Sequence, residues 1–100
     1  MSMANLQRMA QQMQREMARV QDELGQAVVE GSAGGVVRAT ASGKQELLSI
    51  TIDPAAVDPA DVEMLQDLVL TAVNDALQAS RDLAESKMAA VTGGMRLPGM

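Results

Sequence analysis

Histidine, cysteine and every aromatic side chain are missing from this sequence, and that decides which chemistry it can do. Without His, the usual carrier of protons near neutral pH is absent. Without Cys there is no thiol nucleophile, no thiolate zinc site and no disulfide. A Ser–Lys pair would need Lys44 or Lys87 beside an activated serine, and no Gly-x-Ser-x-Gly turn is present. Gly31, Gly34 and Gly35 form a glycine-rich stretch, but no Lys-Ser/Thr ending or helix follows it as in a phosphate-binding loop. It reads as a hairpin turn. Asp53, Asp58 and Asp61 do not have the spacing of a calcium loop and read as caps and turn formers. The expectation is a non-enzyme with no cofactor, no metal and no small-molecule substrate.

The groups left over suit binding. Arg8 and Arg15 are seven residues apart, with Arg19 near their row. Gln7, Gln11, Gln12 and Gln14 fill the same outward side. Arg81 and Lys87 come late in the chain, toward what is expected to be a distal end, and Arg38 and Lys44 belong to a hairpin. One reading is a solvated face with ion pairs around Glu16. The other is contact with nucleic acid, because Arg, Gln and Asn are the side chains that meet phosphates and major-groove base edges. On charge and geometry the candidate DNA contacts are Arg8, Gln12, Arg15, Arg19, Arg81 and Lys87. The formal charge is 8 − 13 = −5. A local basic row duplicated in a dimer can still bind DNA, because the local field matters more than the total. Stacking on exposed bases is excluded for want of aromatic rings.

These side chains need a scaffold, and the periodicity supplies one. Met3, Leu6, Ala10, Met13, Met17, Val20 and Leu24 recur at spacings of 3, 4, 3, 4, 3 and 4. That is a heptad seam on a helix over residues 3–25, and its narrowness calls for a partner helix. Ala27–Val29 reads as a short strand, Ser32–Gly35 as turn, and Val37, Ala39 and Ala41 as the apolar face of a second strand. Ser42-Gly43-Lys44 reads as a hairpin connection with Gly43 at positive φ. Leu48, Ile50 and Ile52 then give a third strand with an apolar face, closed by Asp53-Pro54. Asp58 reads as the cap of a second helix, with Pro59 at its first position and its end near Ala90, stopped by Thr92-Gly93-Gly94. Asn74 and Asp75 interrupt its apolar middle, and one of them is expected to satisfy the backbone of the glycine-rich turn.

The fold class expected is therefore α+β: helix, three-stranded antiparallel sheet, long helix, in one domain over residues 1–100, with 92–100 as a flexible tail. A helix of about 30 residues is roughly 45 Å long. A 100-residue domain has a radius of gyration of about 13 Å. The helix must therefore project from its own globule. The exposed stripe on that arm and the open sheet edges favour a homodimer. No apolar run reaches the ~18 residues of a membrane span, and the N-terminus lacks the pattern of a secretory leader. A cytoplasmic protein with no membrane partner is expected.

Several stretches together resemble the YbaB/EbfC family of bacterial nucleoid-associated proteins. They are Glu30-Gly31-Ser32-Ala33-Gly34-Gly35-Val36-Val37, Ile52-Asp53-Pro54, Glu63 to Val69, Val73-Asn74-Asp75-Ala76, and Lys87 to Gly99. The order of elements agrees as well. The resemblance covers nearly the whole chain. It implies a tweezer-like homodimer whose helical arms grip double-stranded DNA, located at the nucleoid, with a role in nucleoid organisation or gene regulation. It carries no residue-level contact motif onto this chain. The alternative is an adaptor that binds other proteins through its Met-rich first helix.

Overall fold

Ser2 opens the first helix: its Oγ accepts a hydrogen bond from the Asn5 backbone N–H at 3.2 Å. The computed structural model describes residues 2–93. Helix α1 spans Met3–Gln26, strands β1, β2 and β3 span Val28–Ala33, Val37–Ser42 and Leu47–Ile52, and helix α2 spans Val62–Gly93. A short 3-10 turn, Pro54–Ala56, follows β3. The sheet is antiparallel in the order β1-β2-β3. The expected class, α+β in the order helix, three-stranded antiparallel meander, long helix, is what forms.

Several boundaries move for physical reasons. β1 continues through Glu30-Gly31-Ser32 to Ala33, so the turn is shorter than the glycine-rich stretch suggested. Gly34 and Gly35 make it, with φ of 58° and 69°. Gly31 is in the strand because it lies under α2, where any side chain would meet helix backbone. The β2–β3 hairpin also differs from expectation. Gln45, at φ 63°, takes the left-handed conformation, and Gly43 does not. Gly43 is needed for closeness instead. Its N–H donates to the Leu24 carbonyl at 2.8 Å, and a Cβ there would stand 2.7 Å from that oxygen.

The second helix starts later than Asp58. Asp58 Oδ1 accepts from the Ala60 N–H at 2.9 Å and shapes a turn, while Asp61 Oδ1 accepts from Met64 N–H at 3.1 Å and caps α2. Asp53 likewise caps the 3-10 turn through Ala55 N–H at 2.9 Å. All three aspartates thus do backbone work. α2 runs past Ala90 through Thr92 to Gly93, the first of the two glycines expected to stop it. The remainder of the expected tail, 94–100, lies outside the described residues.

The interior is built from small side chains. Ala33, Val37, Ala39, Ala41, Ala72 and Ala76 are buried where α2 crosses β1 and β2. Alanines facing alanines let the helix backbone approach the sheet closely. Asp75 Oδ2 accepts from the Ser32 N–H at 3.1 Å, which satisfies the backbone just before the glycine turn, as one of the Asn74–Asp75 pair was expected to do. At the other end of the sheet Ser80, fully buried, bridges helix to hairpin. Its Oγ donates to the Ser42 carbonyl at 2.7 Å and accepts from Gln45 N–H at 2.9 Å. That accepted bond holds Gln45 in its left-handed conformation.

Because α2 lies over β1 and β2, it leaves β3 uncovered. Ile50 and Ile52 pair in register with Ala39 and Val37, so they are on the helix side of the sheet. They nevertheless remain 45% and 37% exposed, and all six residues of β3 are exposed. The half-buried third strand expected from its alternation is not realised within one chain. The molecule is long and thin, 71 × 28 × 16 Å, with a radius of gyration of 19.7 Å. A compact chain of this length would have about 13 Å. The projection expected from helix length is therefore present.

Candidate nucleic-acid interface

The arms define where charge is free to act. α1 packs against α2 from Met13 onward, where Val20 and Leu24 are buried and Met13, Glu16 and Glu23 are half-buried. From Met3 to Gln12 every side chain of α1 is exposed. Arg8, Gln12 and Arg15 lie on this projecting part and have no hydrogen bond or ion pair among the described residues. Arg8 and Arg15 stand opposite the apolar seam by helical geometry.

Arg19 and Lys87 are placed differently. The Arg19 guanidinium bonds Glu16 and Glu23, each at 2.6 Å, and Lys87 Nζ reaches Glu23 at 3.1 Å from the other helix. These four residues, with Val20, Ala90 and Val91, line a cleft of about 190 Å³ where the helices begin to separate. The bonds to Glu16, then those to Glu23, raise the Arg19 pKa. The hydrogen bond from Lys87 holds the Glu23 carboxyl below its ordinary value. Both cations already carry carboxylate partners, so a phosphate would have to compete for them. Arg81 Nη2 donates to Gln78 Oε1 at 2.8 Å. It neighbours Ser80 at the hairpin, hence at the base of the arm. Arg8 lies 16 residues before Leu24, which meets the same hairpin, so about 24 Å separates the two levels along the helix. The six candidates therefore do not form one cluster: Arg8, Gln12 and Arg15 share the free arm, Arg19 and Lys87 its fork, and Arg81 its base.

Charge is also sorted along the molecule, which the net figure hides. From Met3 through Arg15 there is no acidic residue. Between Lys44 and Arg81 there is no basic one, while Glu46, Asp53, Asp58, Asp61, Glu63, Asp67 and Asp75 are all exposed. The signal was in the linear order of the charges: the −5 belongs to the sheet-bearing head, and the projecting arm of α1 is cationic.

The residue-level geometry can be set beside known proteins. A family model described as the YbaB/EbfC DNA-binding family matches residues 1–95. The chain belongs to this family. A protein named nucleoid-associated protein from Moorella thermoacetica is 57% identical, over 99% of each chain. One of the same name from Desulforamulus reducens is 54% identical, over 99% of this chain and 95% of its own. Among solved structures, an uncharacterized protein from Helicobacter pylori matches with a TM-score of 0.71 at 22% identity, over 95% of this chain and 97% of that one. That likeness concerns the fold. No described helix of this chain is long and apolar enough to cross a membrane.

A second surface of note flanks α2. Leu65, Gln66, Val69, Leu70 and Val73 line an open trough of about 430 Å³. Asp75 ties the opposite flank of the helix to β1, so the trough is on the side of the uncovered β3. Leu70 is 60% exposed and Leu48 53%. In the sequence these residues belong to a wide apolar arc over 62–77 that reads as a helix lying on a sheet, and nothing in that pattern tells which part of the arc stays uncovered.

Proposed function

We propose that this chain is a non-catalytic, nucleoid-associated protein that binds double-stranded DNA as a homodimer and acts in nucleoid organisation and gene regulation. The observation that carries the reading is the projecting, acid-free arm of α1, with Arg8 and Arg15 unpaired among the described residues, in a member of a DNA-binding family. Phosphates supply most of the affinity in such binding, and free guanidiniums on an exposed helix are suited to them. Arg19, Lys87 and Arg81 lie further along the arms and join where phosphate displaces their present partners. Gln12 stands beside the arginine row.

The second copy is called for by the trough and by β3. An open sheet edge next to exposed Leu48, Ile50, Ile52 and Leu70 is more apolar surface than a monomer of this size carries without a partner. A two-fold pair joined at the heads would direct two cationic arms at one duplex, in the manner of tweezers. The acidic heads would repel the backbone and keep it on the arms.

The test is a fluorescence-anisotropy titration with a duplex at several salt concentrations. Wild type should bind, and log affinity should fall with log salt at a slope of about −0.9 for each phosphate contacted. The double variant Arg8→Glu, Arg15→Glu should lose binding while keeping the dimer, since both positions lie away from the seam and from the trough. Wild-type affinity and slope in that variant would remove α1 as the contact surface and turn attention to Arg38 and Lys44 of the sheet.

A further inference from the structure

Next to the arginine row of α1 runs a row of amides. Gln7, Gln11 and Gln14 are spaced i, i+4 and i+7, so they share one face, and all three are exposed with no hydrogen bond among the described residues. We infer that this row enters the DNA major groove and reads adenine there, while Arg8 and Arg15 hold the flanking phosphates. The inference rests on the DNA-binding reading above and adds to it a division of labour between two rows of one helix.

Dimensions support it. Met3 to Arg15 is 13 residues, about 20 Å of helix, or roughly six base-pair steps. An α-helix with side chains is about 10–12 Å across, and the major groove is about 12 Å wide. From Met3 to Gln12 every side chain of this part is exposed, and Gln14 and Arg15 beyond it are exposed as well, so a groove can take the glutamine face. Ala4 and Ala18, at the two ends of the glutamine face, keep it low enough for close approach.

Chemistry supports it too. A glutamine amide matches adenine in a bidentate pair: Nε2–H donates to N7 and Oε1 accepts from the N6 amino group. Guanine has an acceptor in place of that amino group, so the pair discriminates. The amides carry no charge and hence add selectivity without adding to the salt dependence. Arg8 and Arg15 do the reverse. With no aromatic residue in the chain, reading by stacking or by a ring wedge is unavailable, which leaves hydrogen bonding at the groove edges.

The experiment compares two duplexes of one A·T-rich sequence, one natural and one with 7-deazaadenine at every adenine. The substitution removes the N7 acceptor and leaves charge and base pairing in place. Wild type should bind the deaza duplex about tenfold more weakly, the loss of roughly one amide–adenine pair. The variant Gln7→Ala, Gln11→Ala, Gln14→Ala should bind both duplexes alike, near the wild-type affinity for the deaza duplex, with an unchanged salt slope. Alanine keeps the helix, and circular dichroism checks that it has. Wild-type binding that is salt-dependent but indifferent to N7 overturns the base-reading row and leaves the phosphate contacts standing. A variant that still prefers the natural duplex overturns it as well. Absence of salt-dependent binding to either duplex overturns both readings together.

Discussion

Gly31 shows how much of this protein is set by single residues that carry no chemistry. A Cβ at that position would lie 2.2 Å from the Ala76 nitrogen and 2.6 Å from the Ala72 carbonyl oxygen, both backbone atoms of α2. Neither can rotate aside, so Gly31→Ala should cost at least the ~3 kcal/mol at the upper end of ordinary overpacking. Chemical denaturation will measure it, and wild-type stability would mean that α2 does not approach β1 so closely. Gly43→Val should also destabilise, through collision with Leu24 rather than through backbone strain. Ser80→Ala removes two bonds and leaves the Ser42 carbonyl and the Gln45 N–H only their long 3.3 Å bond to each other, and a loss of about 1–3 kcal/mol is expected in the same assay. The sequence made some of this legible. Two polar residues interrupting an apolar helix announced that one of them, Asp75, had backbone to satisfy. Ser80 gave no such sign, because a serine between Ala79 and Arg81 looks like any solvent-facing helix position until the hairpin is placed against it.

At the scale of elements, the fork between the helices holds the arms together with charge. Glu23 sits between Arg19 of its own helix and Lys87 of the other. Its folded pKa is depressed, first by the Lys87 hydrogen bond, so its contribution to stability is present above the ordinary carboxylate range. That contribution is lost as pH falls through the lowered value. The variant Lys87→Met should therefore be slightly less stable than wild type at neutral pH, and the two should converge in acid. The effect is small because both side chains are about a third exposed, 34% and 39%. Urea unfolding across pH will check it, and a gap that widens on acidification would contradict it. Helices α1 and α2 were legible from heptad spacing and breadth of stripe, because a repeat of 3 and 4 has one structural solution. The fate of β3 was not. Alternation predicts which face is apolar, and only the position of α2 over β1 and β2 decides that this face stays uncovered.

On the scale of the whole molecule, an exposed apolar trough and an open strand lie at one end, and a bare cationic helix projects at the other. The head should pair with a second copy. Sedimentation equilibrium at micromolar concentration should give twice the chain mass of 10.5 kDa. A well-folded monomer would contradict that and leave the trough unexplained. The basic candidates were found by charge and spacing in the sequence, but their separation into free, paired and basal groups was not, since Glu23 and Lys87 are 64 residues apart. The central claim is that duplex DNA lies on the outer face of α1. Backbone amide chemical-shift mapping with a short duplex tests it most directly. Perturbations should be concentrated from residue 3 to residue 19, weaker at the fork around Lys87, and absent along the acidic segment from Asp53 to Asp67. Shifts centred on the sheet or on the α2 trough, with α1 silent, would contradict it.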